Sequence, residues 1–196
     1  MSGRPRLSRH QVLAAAATVL AVRPHASMQE VAAAAGLHRA TLYRHFEDRE
    51  QLVDAVLRQA LTEAAEAVIA AEDQAQPGWT ALRCATTALV EVGLQYLGLV
   101  GGFATDDPDL LEHEARLTAA LHRVVARAQD THEVRDDLDP RWVALCLTQL
   151  LAAAAEEVRA GRLTPEAVPD LVLATLRHGV GTGGAVNPGA RSHPSS

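Results

Sequence analysis

Apolar residues along this chain recur at helical spacing in almost every periodic segment, and nowhere do they alternate with polar ones as a strand requires. A sequence patterned in this way buries its apolar faces by packing helix on helix, which predicts an all-α fold. With 196 residues, 48% of them apolar, the chain can build a real core. Disordered and collagen-like classes are thereby excluded, and the length allows one large or two small domains.

The helix ends are legible in side chains. Ser8 with Gln11, and Ser27 with Glu30, have the spacing of capping boxes. The first opens a helix whose core face is Val12, Ala16, Val19 and Leu20, with Leu7 and Val12 placed as a hydrophobic staple and Pro24 as its stop. The second opens a short helix that ends at Gly36. Leu37-His38 makes the turn into a third helix, Arg39–Phe46. Asp48, with Gln51 three residues on, starts a long fourth helix reaching about Ala71, before Gln76-Pro77-Gly78 breaks it.

Further helices are expected over roughly Thr80–Leu99, from Asp106-Asp107-Pro108 to about Thr131 (in one piece or two), and from Asp139-Pro140 to Gly161. Thr164-Pro165 repeats the Asp-Pro device, and a last helix ends near His178-Gly179. Gly101-Gly102 and the polar run Glu133–Asp139 are the joints. The division is a helix-turn-helix domain over residues 1–50, a helical bundle over 51–179, and a disordered tail over 180–196.

All 18 basic residues are arginine, against 24 acidic ones, for a net charge of −6. Residues 1–49 hold seven of those arginines (Arg4, Arg6, Arg9, Arg23, Arg39, Arg44, Arg49) against Glu30, Glu47 and Asp48, a surplus of four positive charges. The other 147 residues therefore carry −10. A basic end on an acidic body marks the first quarter as the part that meets a polyanion. The apolar run Val12–Val22 resembles a signal peptide only superficially. Arg23 follows it directly, no convincing small-x-small cleavage site comes after, and eleven residues cannot span a bilayer. The expected location is the cytoplasm. Cys84 and Cys146, without a CxxC or a nearby histidine at metal spacing, are expected as buried free thiols.

Two short helices joined by a glycine turn form a helix-turn-helix. Gly36 suits the turn because a left-handed residue is sterically cheap only for glycine. Ala32 and Ala33 keep the first helix thin enough for the second to cross it, and Val31, Leu37, Leu42 and Phe46 fill the space between them. At about 100° per residue, Leu42 and Phe46 share one face of the second helix. Ala40, Thr41 and Arg44 lie on the opposite arc, with Tyr43 and His45 on the flanks. This layout suits a helix in the major groove. Arg39, Arg44 and Gln29 are candidates for base readout, Ala40 permits close approach, and Thr41 can meet a thymine methyl or a base edge. Tyr43 and His45 can donate to phosphates, and Arg49 adds charge at the start of the fourth helix.

Glu30-Val31-Ala32, Ala35-Gly36-Leu37 and Thr41-Leu42-Tyr43-Arg44-His45-Phe46 resemble the N-terminal domain of TetR-family regulators over about residues 8–57. The resemblance implies a cytoplasmic homodimer that binds a palindromic operator in double-stranded DNA, most commonly as a repressor. It also implies a divergent C-terminal domain whose small-molecule effector weakens DNA binding. By position, Tyr43, His45 and Arg49 match phosphate contacts, and Gln29, Arg39, Ala40 and Thr41 match places that face bases. Met28 stands where the family usually has a phosphate-contacting threonine, and His38 replaces the usual serine cap. Gly3-Arg4-Pro5-Arg6 resembles a minor-groove arm, with Arg4 and Arg6 as its contacts.

In the C-terminal domain Tyr96, Phe103, His113, Trp142, Cys146 and Gln149 are candidates to line an effector pocket, each equally placed to fill a core or an interface. Leu150–Ala155 and Val168–Leu176 are apolar on more than one face, which fits self-association through the last two helices. No cofactor or metal is expected. Glu112-His113-Glu114 and His132-Glu133 lack the ExxH or HxxxH spacing and read as solvated charges. That also counts against the enzymatic alternative, a carboxylate-bridged bundle. An architectural DNA-binding protein without effector is the other alternative.

Overall fold

The computed structural model describes residues 7–74, 78–96 and 107–180. Among them are eight α-helices and no strand. In chain order they are α1 (Arg9–Val22), α2 (Met28–Ala34), α3 (Arg39–His45), α4 (Arg49–Gln74), α5 (Trp79–Gln95), α6 (Pro108–Asp130), α7 (Pro140–Arg159) and α8 (Val168–Val180). None of these helices is long and apolar enough to cross a membrane. The expected tail beyond residue 180, the Gly101-Gly102 joint, Phe103, Arg4 and Arg6 lie outside the described residues.

Both capping boxes form. Ser8 Oγ accepts the Gln11 N–H at 3.2 Å while the Gln11 side chain accepts the Ser8 N–H at 2.9 Å. Ser27 Oγ accepts the Glu30 N–H at 3.3 Å, and the Glu30 carboxylate takes the Ser27 N–H at 2.8 Å and its hydroxyl proton at 2.7 Å. Those two donors, the hydroxyl first, hold the Glu30 carboxyl below the usual glutamate range. Asp107 and Asp139 cap α6 and α7, each with proline following.

Thr164-Pro165 behaves differently from the expected Asp-Pro pattern. The Thr164 side chain makes no cap bond, and Pro165–Ala167 form a single 3-10 turn before α8 begins at Val168. The cause is Pro169, which has no N–H to offer the Pro165 carbonyl four residues back. That carbonyl accepts from Val168 instead. Residues 108–130 form one helix rather than two.

The helices enclose two cores. The N-terminal one gathers Val12, Leu13, Ala16, Ala17, Val19 and Leu20 of α1, Met28, Val31 and Ala32 of α2, Leu42 and Phe46, and Leu52, Val53, Ala55 and Val56 of α4. The C-terminal one joins Val68 of α4 to Leu82, Leu121, Val124, Val143, Leu147, Val172 and Leu176 of the later helices. At 26 residues, α4 is about 39 Å long and runs through both. Its first turns are part of the N-terminal core, so that core extends beyond residue 50, into the segment assigned by sequence to the bundle.

Polar contacts brace the bundle. Glu72 of α4, only 8% exposed, sits 3.4 Å from Arg123 and 3.3 Å from Arg127 of α6. Glu133 is not merely a solvated charge: its carboxylate accepts the Trp79 N–H at 2.8 Å and so caps α5. The cap residue itself, Gly78, has φ +97°, and a Cβ there would lie 2.8 Å from Glu133 Oε1. Cys84 and Cys146 are free and half-buried rather than fully buried.

Candidate nucleic-acid interface

The reading element is built from the Ser27 cap upward. α2 runs seven residues to Gly36, whose φ of +66° lets the Leu37 N–H bond back to the Ala32 carbonyl at 2.8 Å. A Cβ on Gly36 would meet nothing within 4 Å, so the requirement for glycine there is conformational and not one of space. The chain then turns through His38, which caps α3 with its backbone alone. Ala32 is buried where the two helices meet, whereas Ala33 faces solvent.

α3 is held by one face. Leu42 is fully buried and Phe46 1% exposed, packed with Val31 and the half-buried Leu37. Arg39, Ala40, Tyr43 and Arg44 face solvent, Thr41 and His45 are half-buried, and Gln29 of α2 is exposed beside them. The outward surface thus carries Gln29, Arg39, Ala40, Thr41, Tyr43, Arg44 and His45 of the residues that the sequence assigns to bases and phosphates. Two contacts order it. The Arg39 guanidinium lies 5.2 Å above the Tyr43 ring centroid, and Arg44 Nη2 lies 3.3 Å from His45 Nε2. A guanidinium only donates, so the His45 nitrogen is the acceptor. At the other end of α3 the Arg9 guanidinium lies 4.9 Å over the Phe46 ring and ties α1 to the reading helix.

Arg49 is placed differently from its sequence assignment. Its Nε donates to the Ala26 carbonyl at 3.1 Å and its Nη2 to the Pro24 carbonyl. The side chain is half-buried and pins the α1–α2 loop to the start of α4. Neither carbonyl has a helical partner, so the guanidinium satisfies groups that would otherwise need water. Met28, at the family's threonine position, is 6% exposed and belongs to the core, which leaves no side-chain contact to a phosphate there.

Of the six residues expected to line an effector pocket, the five that are described are not gathered in one place. Tyr96 is 3% exposed and packs in the N-terminal core, its hydroxyl donating to Glu63 at 2.8 Å. Burial, then that hydrogen bond and the Glu63 charge, push its phenol above the ordinary tyrosine range. His113 is half-buried with Nδ1 2.6 Å from the Asp109 carbonyl of its own helix. Cys146 packs against the C-terminal core, whereas Trp142, at 57% exposure, and Gln149 face solvent on α7 with Leu145. A groove of about 350 Å³ between α1 and α4, walled by Arg9, His10, Leu13, Arg58 and Glu63, is lined by none of these five. The Tyr96–Glu63 bond and the Glu133 cap carry no sequence signal, because each joins residues more than thirty apart.

Two short helices joined at Gly36, the second buried on one side and exposed on the other, within a basic N-terminal segment, are the arrangement of a helix-turn-helix DNA-binding protein. Residues 12–56 match the family model of the bacterial regulatory proteins of the tetR family. The HTH-type transcriptional repressor LfrR of Mycolicibacterium smegmatis is 27% identical over 180 residues, which span 91% of this chain and 93% of that protein. The crystal structure of the TetR-like regulator LfrR from Mycobacterium smegmatis in complex with proflavine superposes with a TM-score of 0.74 at 26% identity, over 88% of this chain and 95% of that one. The ketosteroid transcriptional regulator KstR2 of Mycobacterium tuberculosis has the same fold, with a TM-score of 0.70 at 22% identity over 92% and 98% of the two chains. The N-terminal segment thus matches the tetR-family domain, and the chain is similar over about nine-tenths of its length to DNA-binding transcriptional regulators of that family.

Proposed function

We propose that the protein is an effector-released repressor that acts in the cytoplasm as a homodimer on a palindromic operator. Each protomer sets α3 into one of two successive major grooves, about 34–36 Å apart. Gln29, Arg39, Ala40, Thr41 and Arg44 face bases, and Tyr43 and His45 hold phosphates. Arg4 and Arg6 reach the adjoining minor groove. Arg49 is left out of this set because its donors are turned to the carbonyls of residues 24 and 26. The observation that carries the reading is the two-sidedness of α3: Leu42 and Phe46 inside, Arg39, Ala40, Tyr43 and Arg44 outside.

Residues 51–179 form the effector-binding and dimerisation domain in this reading, with α7 and α8 pairing against their copies in a four-helix bundle. Exposed Trp142 and Leu145 on α7 and Leu171 on α8 support that pairing, since large apolar side chains at 57%, 48% and 51% exposure gain from being covered. The effector acts by binding the operator-bound and released spacings of the two α3 helices with different affinity. Proflavine, found in the complex with LfrR, is the first probe.

A gel shift on DNA flanking the protein's own gene tests the reading. The expected result is a salt-sensitive, sequence-preferring complex that proflavine weakens, with proflavine emission changing on addition of protein alone. Equal affinity for flanking and random DNA, with no response to effector candidates, would leave an architectural DNA-binding protein instead.

A further inference from the structure

Arg39 is the first residue of α3 and lies fully on its solvent side. Among the described residues no carboxylate or carbonyl pairs with its guanidinium. What holds it is the Tyr43 ring, one helical turn on, with the guanidinium carbon 5.2 Å from the ring centroid. The spacing makes this contact natural. Residues four apart share a helix face, and helical side chains lean toward the N-terminus, so the Tyr43 ring covers the turn that Arg39 occupies. Arg44, by contrast, lies within hydrogen-bond distance of its sequence neighbour His45.

We propose that Tyr43 is a positioning residue for base recognition: its ring pre-orders Arg39 for a base edge, a role separate from the phosphate contact of its hydroxyl. A free arginine samples many rotamers, and confining it on a base edge costs entropy that a pre-ordered side chain has already lost. Guanidinium–ring contacts at exposed sites are worth a factor of about two to five in an equilibrium constant. Removing the ring therefore lowers discrimination at the base pair that Arg39 reads. Removing only the hydroxyl lowers affinity for every sequence alike. The inference rests on the DNA-reading function proposed above.

The test uses the full-length protein and the duplex that the wild type selects most tightly from a random-sequence library, with its single-base-pair variants, at one salt concentration. Tyr43 is 39% exposed, so Y43F and Y43L leave the core untouched, which thermal melting verifies. R39A identifies the base pairs read by Arg39. Y43F is expected to keep the wild-type preference at those pairs, and Y43L to reduce it about two- to fivefold. In the R39A background Y43L is expected to reduce it no further. In the free protein the Arg39 Nε–Hε resonance is expected to be ring-shifted in wild type and Y43F and to lose that shift in Y43L. An unchanged preference in Y43L, a loss at base pairs that R39A leaves alone, or an Arg39 resonance indifferent to the ring overturns the proposal alone. Failure of the wild type to select any duplex overturns the DNA-reading function and this proposal with it.

Discussion

Arg49 separates a structural role from a DNA-contacting one, and Arg49→Gln measures which it has. Its guanidinium gives one N–H to Ala26 and another to Pro24, the carbonyls of the loop that delivers α2. A hydrogen bond from a charged donor contributes about 1.5–3 kcal/mol when shielded. The side chain is half-buried, so the pair together is worth nearer 2 kcal/mol than the full sum. For a chain of this size that corresponds to a fall of about 4–8 °C in Tm, with a matching shift of the urea midpoint read by circular dichroism. The salt dependence of DNA binding gives the second readout. A phosphate contact adds about 0.9 to the slope of log K against log salt. If the donors are committed to carbonyls, the slope in Arg49→Gln equals that of the wild type, even where affinity falls because the loop is looser. A slope smaller by about 0.9 per protomer, with an unmoved urea midpoint, would refute the structural assignment and return Arg49 to the DNA.

Other perturbations test different links. Leu42→Ala empties a fully buried site under the reading helix and should cost about 2–5 kcal/mol, abolishing operator binding while the C-terminal core stays helical by circular dichroism. Gly78→Ala sets a Cβ 2.8 Å from Glu133 Oε1 at a φ of +97°, and should lower stability by about 1–3 kcal/mol in the same urea titration. Leu145→Glu on the exposed face of α7 should convert a dimer to monomers in sedimentation, with loss of operator binding and no loss of helix. Tyr96 gives a pH dependence. Its phenol is raised in the folded state, so the unfolded chain releases that proton first, near the ordinary value of 10.0. Stability is therefore complete below that pH and declines above it, and Tyr96→Phe should flatten the alkaline limb of the melting curve.

The local grammar of the N-terminal domain lies in the sequence because its causes are local. Ser27 and Glu30 satisfy each other's backbone within one turn, Gly36 is needed for its own dihedral angle, and Leu42 and Phe46 share a face by periodicity alone. The charge asymmetry is legible too, because it is a count of side chains and makes one end basic whatever the packing. The effector candidates could not be resolved this way. Tyr96 and Trp142 are both aromatic, yet one is sealed in the N-terminal core and the other lies open on α7, and nothing within a few residues of either distinguishes them. Arg49 is the sharpest instance: one cation near a helix start fits a phosphate and a loop carbonyl equally well.

The sequence by itself determined that the chain is helical, where the caps of α1, α2, α6 and α7 lie and which side of α3 faces solvent, since each of these depends on neighbours within about one helical turn. It also set which end is basic, since charge is counted residue by residue. Only the tertiary structure decided that α4 spans both cores, that Arg49 turns inward, that Glu133 caps α5 and that Tyr96 bonds Glu63. These contacts join residues 23 to 54 positions apart, and a pairing at that range depends on how whole helices pack, which no local pattern specifies.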